Sequence, residues 1–168
     1  MVIQKSKRVL LLSHCILNQN TVVDGLERAS GAFKLTDIIV ASGAGILQLP
    51  CPEFFMMNLD RPGMTFEEYD KPEFREIAEK ILKPLLWQVH QYQHFGFKIA
   101  GIIGIQGSPN SGISCKTGVF MKILLNEMKL RNITPPLLEV PPNYGTDPEA
   151  DENFHQEMRL FLESKSES

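Results

Sequence analysis

Three cysteines follow predicted hydrophobic strands, which is where reactive side chains collect in an α/β fold. Cys15 and Cys51 come after the apolar segments 8–13 and 45–50, and Cys115 closes a glycine-rich turn after a third such segment. The carboxyl ends of parallel strands border one crevice, and ligands bind there. We therefore expect the three thiols to meet at one point, where three thiolates would form a metal or iron–sulfur site with one coordination position open.

Three buried, inert cysteines are the plain alternative, because free cysteine is among the most buried residue types. The neighbours of two of them favour a reactive site instead. Cys51 is followed by Pro52 and Glu53, and Cys115 ends a turn that is rich in hydroxyl groups and backbone amides. Glycine-rich turns and helix starts stabilise negative charge, so this setting suits a thiolate or the anionic sulfur of a cluster.

Other polar side chains lie close to these cysteines in the sequence. Glu53, two positions after Cys51, is the candidate general base that would activate water. Ser108 is a candidate for contact with substrate, although a Ser-Pro pair is also ordinary turn chemistry. Asp24, before a glycine, fits a turn residue better than a catalyst. His14 adjoins Cys15, and alternation along an extended segment would place it at the rim of the site.

The remaining histidines and one tyrosine carry weaker signals. His90 and His94 share a helical face, but the glutamate of a zinc-protease motif is absent, so we expect a solvated pair. Tyr144 follows the fourth predicted strand and would stack on a flat heterocycle if it reached the crevice. A plain turn is the simpler expectation for Tyr144.

Composition and charge exclude several classes of function. The 168 residues fit one domain spanning 1–168, and a net charge of -3 argues against a nucleic-acid partner. No apolar run approaches the roughly 20 residues that span a bilayer, so no membrane partner is expected. The chain reads as cytoplasmic, a compartment in which structural disulfides are rare. A homodimer is compatible with the sequence.

Alternation of strand and helix predicts an α/β fold: a small open parallel sheet of about four strands with helices on both faces, Rossmann-like, in a single domain. The predicted strands are 8–13, 46–49, 98–105 and 137–140. The predicted helices are 33–41, a long helix from 70 that Pro84 kinks or divides, one after the turn at 107–115, and one from 147. We expect 51–69 to be a lid or substrate loop and 164–168 to fray.

Three short motifs in this order resemble the thiouracil desulfidase (TudS-type) family, also known as domain of unknown function 523. The motifs are Cys15-Ile-Leu-Asn with Asp24-Gly25, Cys51-Pro-Glu53 with Arg61-Pro62, and Gly107-Ser108-Pro109. They span most of the domain. One departure concerns the third motif, because Ser111 stands where the family turn has its cysteine, and Cys115 is the only thiol available nearby.

The resemblance implies a [4Fe–4S] cluster held by Cys15, Cys51 and Cys115, with one iron left open to bind sulfur. It also implies a small thiolated substrate, such as a thiouracil-like thiocarbonyl compound, from which sulfur leaves as sulfide without net electron transfer. Glu53 would activate water, and Ser108 would contact the substrate.

Two other functions stay open at this point. A cysteine-nucleophile enzyme would use Cys115, activated by a helix start and a histidine. A non-catalytic module would bind metal or sulfide, for example through three cysteines and a histidine.

Overall fold

A four-stranded parallel sheet forms the centre of the molecule in a computed structural model, which describes residues 3–163. Its strands are β1 (Arg8–Leu12), β2 (Gly45–Gln48), β3 (Lys98–Ile105) and β4 (Leu137–Val140). All three pairings are parallel, and the order across the sheet is β2-β1-β3-β4. The predicted small open parallel sheet is therefore confirmed.

Within residues 3–163, seven α-helices surround the sheet. They are α1 (His14–Leu17), α2 (Leu35–Ala41), α3 (Pro52–Met57), α4 (Phe66–Tyr69), α5 (Pro72–His94), α6 (Val119–Leu130) and α7 (Pro148–Glu163). The helix α5 passes through Pro84 without being divided. No helix within residues 3–163 is both long and apolar enough to cross a membrane. The predicted frayed tail, 164–168, lies outside the described residues.

Two of these helices lie in the segment 51–69, which is predicted from the sequence to be a lid or substrate loop. Helix α3 begins where the Cys51 sulfur accepts a hydrogen bond from the Phe54 backbone N–H at 3.4 Å. Helix α4 begins at a capping box, in which Thr65 and Glu68 each accept from the other's backbone N–H. Local capping thus gives this segment helical structure on either side of a short connection.

Alternating side chains of β1 build a core on each face of the sheet. Leu11 packs in one cluster with residues of α5 and α6, whereas Leu10 packs in a second cluster with residues of α2 and α7. A strand that is buried on both faces needs an uninterrupted apolar run, which is what the sequence of β1 provides. Helices therefore cover both faces, and the single Rossmann-like domain is confirmed.

The strand order creates a switch point in the sheet. From β1 the chain moves outward to β2, and it then returns to the other side of β1 with β3. Connections leave in opposite directions at this point, so a crevice opens beyond the carboxyl ends of β1 and β3. The fold therefore predicts a ligand site at this end.

Candidate functional site

A cavity of about 420 Å³ lies at the carboxyl end of the sheet, and its walls come from segments after all four strands. Four of the predicted site residues line it together: Cys15, Cys51, Glu53 and Ser108. Residues of the connection between α3 and α4 also line the cavity. The structure thus brings two thiols, a carboxylate and a hydroxyl to one cavity.

Cys15 lies in the first turn of α1, directly after β1. Its backbone oxygen accepts a hydrogen bond from the Gln19 side-chain amide at 2.8 Å, which fixes this short helix. Burial, and after it the neighbouring Cys51, raise the pKa of the Cys15 thiol to about 12, because a buried thiolate is poorly solvated and two thiolates would repel each other. Cys15 is therefore a neutral thiol at neutral pH when no metal is bound.

Cys51 caps the start of α3. Burial raises the pKa of its thiol, while the hydrogen bond from the Phe54 N–H acts in the opposite direction by stabilising a thiolate. The two thiols thus share one cavity, and a backbone amide at the start of α3 points at the sulfur of Cys51.

Glu53 is held by two partners, one from the turn after β3 and one from the connection between α3 and α4. Its Oε1 accepts a hydrogen bond from Asn110 Nδ2 at 2.8 Å, and its Oε2 lies 3.5 Å from Arg61 Nε. Arg61 is itself buried and donates to the backbone oxygens of Asn58 and Thr21, at 2.8 and 2.5 Å. These contacts orient the Glu53 carboxylate at the cavity wall.

Ser108 shapes the turn that follows β3. Its Oγ accepts hydrogen bonds from the backbone N–H groups of Asn110 and Ser111, at 3.3 and 3.1 Å, and lies 3.0 Å from Ser111 Oγ. Gly107, with a φ of 77°, adopts the left-handed conformation that this turn needs. Ser108 therefore performs the turn role and also presents its hydroxyl to the cavity.

Cys115 is placed differently from the other two cysteines. It is exposed, and it does not line the cavity. The Glu139 carboxylate accepts hydrogen bonds from the backbone N–H groups of Ile113 and Ser114, and Lys116 forms an ion pair with Glu67. These contacts hold the segment that carries Cys115 on the outside of the turn.

The cluster ligation that the resemblance implies does not fit this arrangement. Two of its three thiols lie at the cavity, but Cys115 is outside, and Ser111 occupies the cavity wall instead. Within residues 3–163, no three histidine, cysteine, aspartate or glutamate side chains are close enough together to hold a metal ion. Cys15 and Cys51 are the two thiols that the cavity offers as soft donors.

Other sequence expectations have mixed outcomes. His14 lines the cavity, and burial lowers the pKa of its imidazole. Tyr144 is absent from the cavity wall, because it is buried in the core, where its hydroxyl accepts from the Leu35 N–H at 2.8 Å. His90 and His94 are exposed and stacked, which matches the predicted solvated pair. Stacking of Tyr144 on a ligand is therefore ruled out by its position.

Sequence reasoning missed several residues of the site. Asn110 and Tyr69 line the cavity and are almost fully buried, and burial together with the nearby Glu53 raises the pKa of the Tyr69 hydroxyl. For Arg61, the sequence offers only its place in the Arg61-Pro62 motif. A signal existed for Asn110, since it lies in the glycine-rich turn beside Ser108. For Tyr69 no local pattern distinguishes it from a core aromatic residue.

A comparison with curated proteins finds a relative from Methanocaldococcus jannaschii, named "Uncharacterized protein MJ0003". The two sequences are 41% identical over 140 residues, which covers 83% of this chain and 89% of the relative. No protein-family model matches the chain, and no solved structure matches it. Because the identity is high and covers most of both chains, the protein belongs to the same family as this Methanocaldococcus jannaschii protein.

Proposed function

We propose that the protein is an enzyme that removes sulfur, as hydrogen sulfide, from a small thiocarbonyl compound bound in this cavity. The observation that carries the proposal is the meeting of Cys15, Cys51, Glu53 and Ser108 at one cavity. In the reaction, water adds to the thiocarbonyl carbon and the carbon–sulfur bond breaks. The products are a carbonyl compound and hydrogen sulfide, so atoms balance and no electrons are transferred.

Glu53 is the base of this proposal. Asn110 and Arg61 orient its carboxylate from two sides, and a carboxylate has further lone pairs that accept a proton from water. Ser108 lines the cavity with its Oγ 3.0 Å from Ser111 Oγ, and in this proposal its hydroxyl turns from Ser111 to donate to the substrate. The proton taken by Glu53 returns to the departing sulfur.

The support for an iron–sulfur cofactor in this proposal is the resemblance to thiouracil desulfidases alone. Binding through Cys115 would require residues 113–116 to leave Glu139 and Glu67. We infer instead that Cys15 and Cys51 bind a soft metal, since they are the thiols that line the cavity. After anaerobic reconstitution, we expect iron to be lost from the C15A and C51A variants and retained by C115A. A cytoplasmic location suits such thiols, which stay reduced there.

The test of the function is product analysis. The protein, purified without oxygen, is incubated with 2-thiouracil and other thio-heterocycles in H₂¹⁸O. We expect sulfide and an oxo product carrying one ¹⁸O atom, and a fall in rate of roughly 100-fold or more for Glu53→Gln, because general base catalysis contributes that much. Glu76→Gln, at an exposed position of α5, is the matched control. An unchanged rate in the Glu53 variant would remove Glu53 from the mechanism.

The two other functions lack an observation in their favour. Helix α6 begins at Val119, and its N-cap is Gly118, so Cys115 does not lie at a helix start. Cys115 also lies outside the cavity. A non-catalytic module would bind metal or sulfide and release no product, so the same assay separates it from the enzyme.

A further inference from the structure

Buried polar atoms without partners are concentrated at the cavity. Within residues 3–163, six buried side-chain nitrogen or oxygen atoms make no hydrogen bond. Five of them belong to cavity-lining residues: Ser13, His14, Arg61, Tyr69 and Asn110. Arg61 Nε and the Tyr69 hydroxyl still interact electrostatically with Glu53, so Ser13, His14 and Asn110 carry the atoms without such a partner. An unpaired buried polar group costs about 1–3 kcal/mol, so native proteins pair such groups. Their convergence indicates a site that is built for a polar ligand.

Asn110 is the member of this set whose orientation is determined. Its Nδ2 donates to Glu53 Oε1 at 2.8 Å, and a carboxylate accepts hydrogen bonds but cannot donate them. The amide therefore cannot be turned around. Its Oδ1 is left as a buried acceptor without a hydrogen bond, on a side chain that lines the cavity and whose residue is only 3% exposed.

The backbone around Asn110 is fixed as well. Its oxygen accepts from the Met121 N–H at 2.9 Å, in the first turn of α6, and its N–H donates to Ser108 Oγ. Gly118 packs so closely that an added Cβ would lie 2.3 Å from the Asn110 carbonyl carbon. The Oδ1 acceptor is thus held in place before any ligand arrives, which favours selective binding.

We propose that Asn110 determines the specificity of the cavity by accepting a hydrogen bond at Oδ1 from the ring N–H of a cyclic amide or thioamide. A ring of this class presents an N–H next to its carbonyl or thiocarbonyl carbon. This inference rests on the proposed function in one respect, since it places that carbon near Glu53, to which Asn110 is bonded.

Binding of sulfur-free rings tests the assignment without any turnover. Isothermal titration calorimetry compares uracil with its N1-methyl and N3-methyl derivatives. We expect one methylation to weaken binding to the wild type by roughly 10–100-fold, because it leaves the buried Oδ1 unpaired. In Asn110→Ala this difference should disappear. Asn126→Ala, at an exposed position of α6, should retain it.

Three results would overturn the assignment: equal binding of all three rings to the wild type, failure of uracil to bind, or full discrimination by Asn110→Ala. The wild-type comparison needs no variant, so it holds if Asn110→Ala fails to fold. Discrimination among the rings without sulfide release from 2-thiouracil would leave the Asn110 assignment intact and refute the proposed function. Sulfide release without discrimination among the rings would support the proposed function and refute the Asn110 assignment.

Discussion

Burial changes the acid–base chemistry of the two cavity thiols. The pKa of Cys15 rises to about 12 because its thiolate would be poorly solvated and would face Cys51. Burial also raises the pKa of Cys51. A metal or any other electrophile that binds these sulfurs must therefore displace protons, so binding strengthens as pH increases. The exposed Cys115 has no comparable environment.

This environment predicts that stability decreases at alkaline pH. Above the ordinary thiol pKa of 9.0, the unfolded chain releases the Cys15 proton while the folded protein keeps it until about pH 12. The folded state then binds more protons, so the free energy of unfolding falls as pH rises, by at most about 1.4 kcal/mol per pH unit. Urea unfolding between pH 8 and pH 10.5 measures this slope.

Cys15→Ser should reduce that alkaline slope, because serine does not titrate in this range. The same slope in the wild type and Cys15→Ser would show that Cys15 is not shielded from solvent as the structure describes.

At the scale of elements, the turn after β3 depends on its contact with the start of α6. Gly118, the N-cap of α6, faces the backbone of Asn110, and an added Cβ would lie 2.3–2.8 Å from three of its atoms. Since Asn110 in turn holds Glu53, this contact links the backbone of a helix start to the geometry of the cavity.

Gly118→Ala should therefore destabilise the protein by about 1–3 kcal/mol through overpacking. The matched control is Gly31→Ala, because an added Cβ at Gly31 meets nothing within 4 Å. Urea denaturation measures both variants. Equal stability of the two would mean that the turn moves freely away from α6.

The second important element contact is the one between β4 and the segment before Cys115. Glu139 accepts hydrogen bonds from two successive backbone N–H groups, those of Ile113 and Ser114. Glutamine in its place has one carbonyl oxygen and turns an NH₂ group toward the other donor. We expect Glu139→Gln to accelerate hydrogen exchange of these two amides about tenfold or more, because hydrogen bonds to charged groups contribute about 1.5–3 kcal/mol.

Nuclear magnetic resonance reads these two amides individually, with Glu76→Gln as the control variant. Unchanged protection in Glu139→Gln would show that Glu139 does not hold the Cys115 segment in its outward position.

At the scale of the whole molecule, the sheet was the most predictable part. The two central strands, β1 and β3, are largely apolar because both of their faces are covered, and the predicted bounds of β3 and β4 agree with the structure. Placement after strands also identified Cys15 and Cys51, because parallel strands deliver their carboxyl ends to one edge. Both follow from local sequence together with a general property of the fold.

The position of Cys115 could not be predicted in the same way. It depends on Glu139 and Glu67, which are distant in sequence and whose approach only the folded structure reveals. Asn110 escaped notice for a similar reason, since its partner Glu53 lies 57 positions away. Which residues position a reactive group depends on tertiary contacts, and a single sequence does not show which distant residues will be in contact.

The most direct measurement of the central claim is the rate of sulfide release from 2-thiouracil by four proteins: the wild type, Cys15→Ala, Cys51→Ala and Cys115→Ala. If the cavity is the site of reaction, the wild type and Cys115→Ala release sulfide at similar rates, and the other two release none above background. Activity that survives the loss of Cys15 and Cys51, or that disappears with Cys115, would contradict the account.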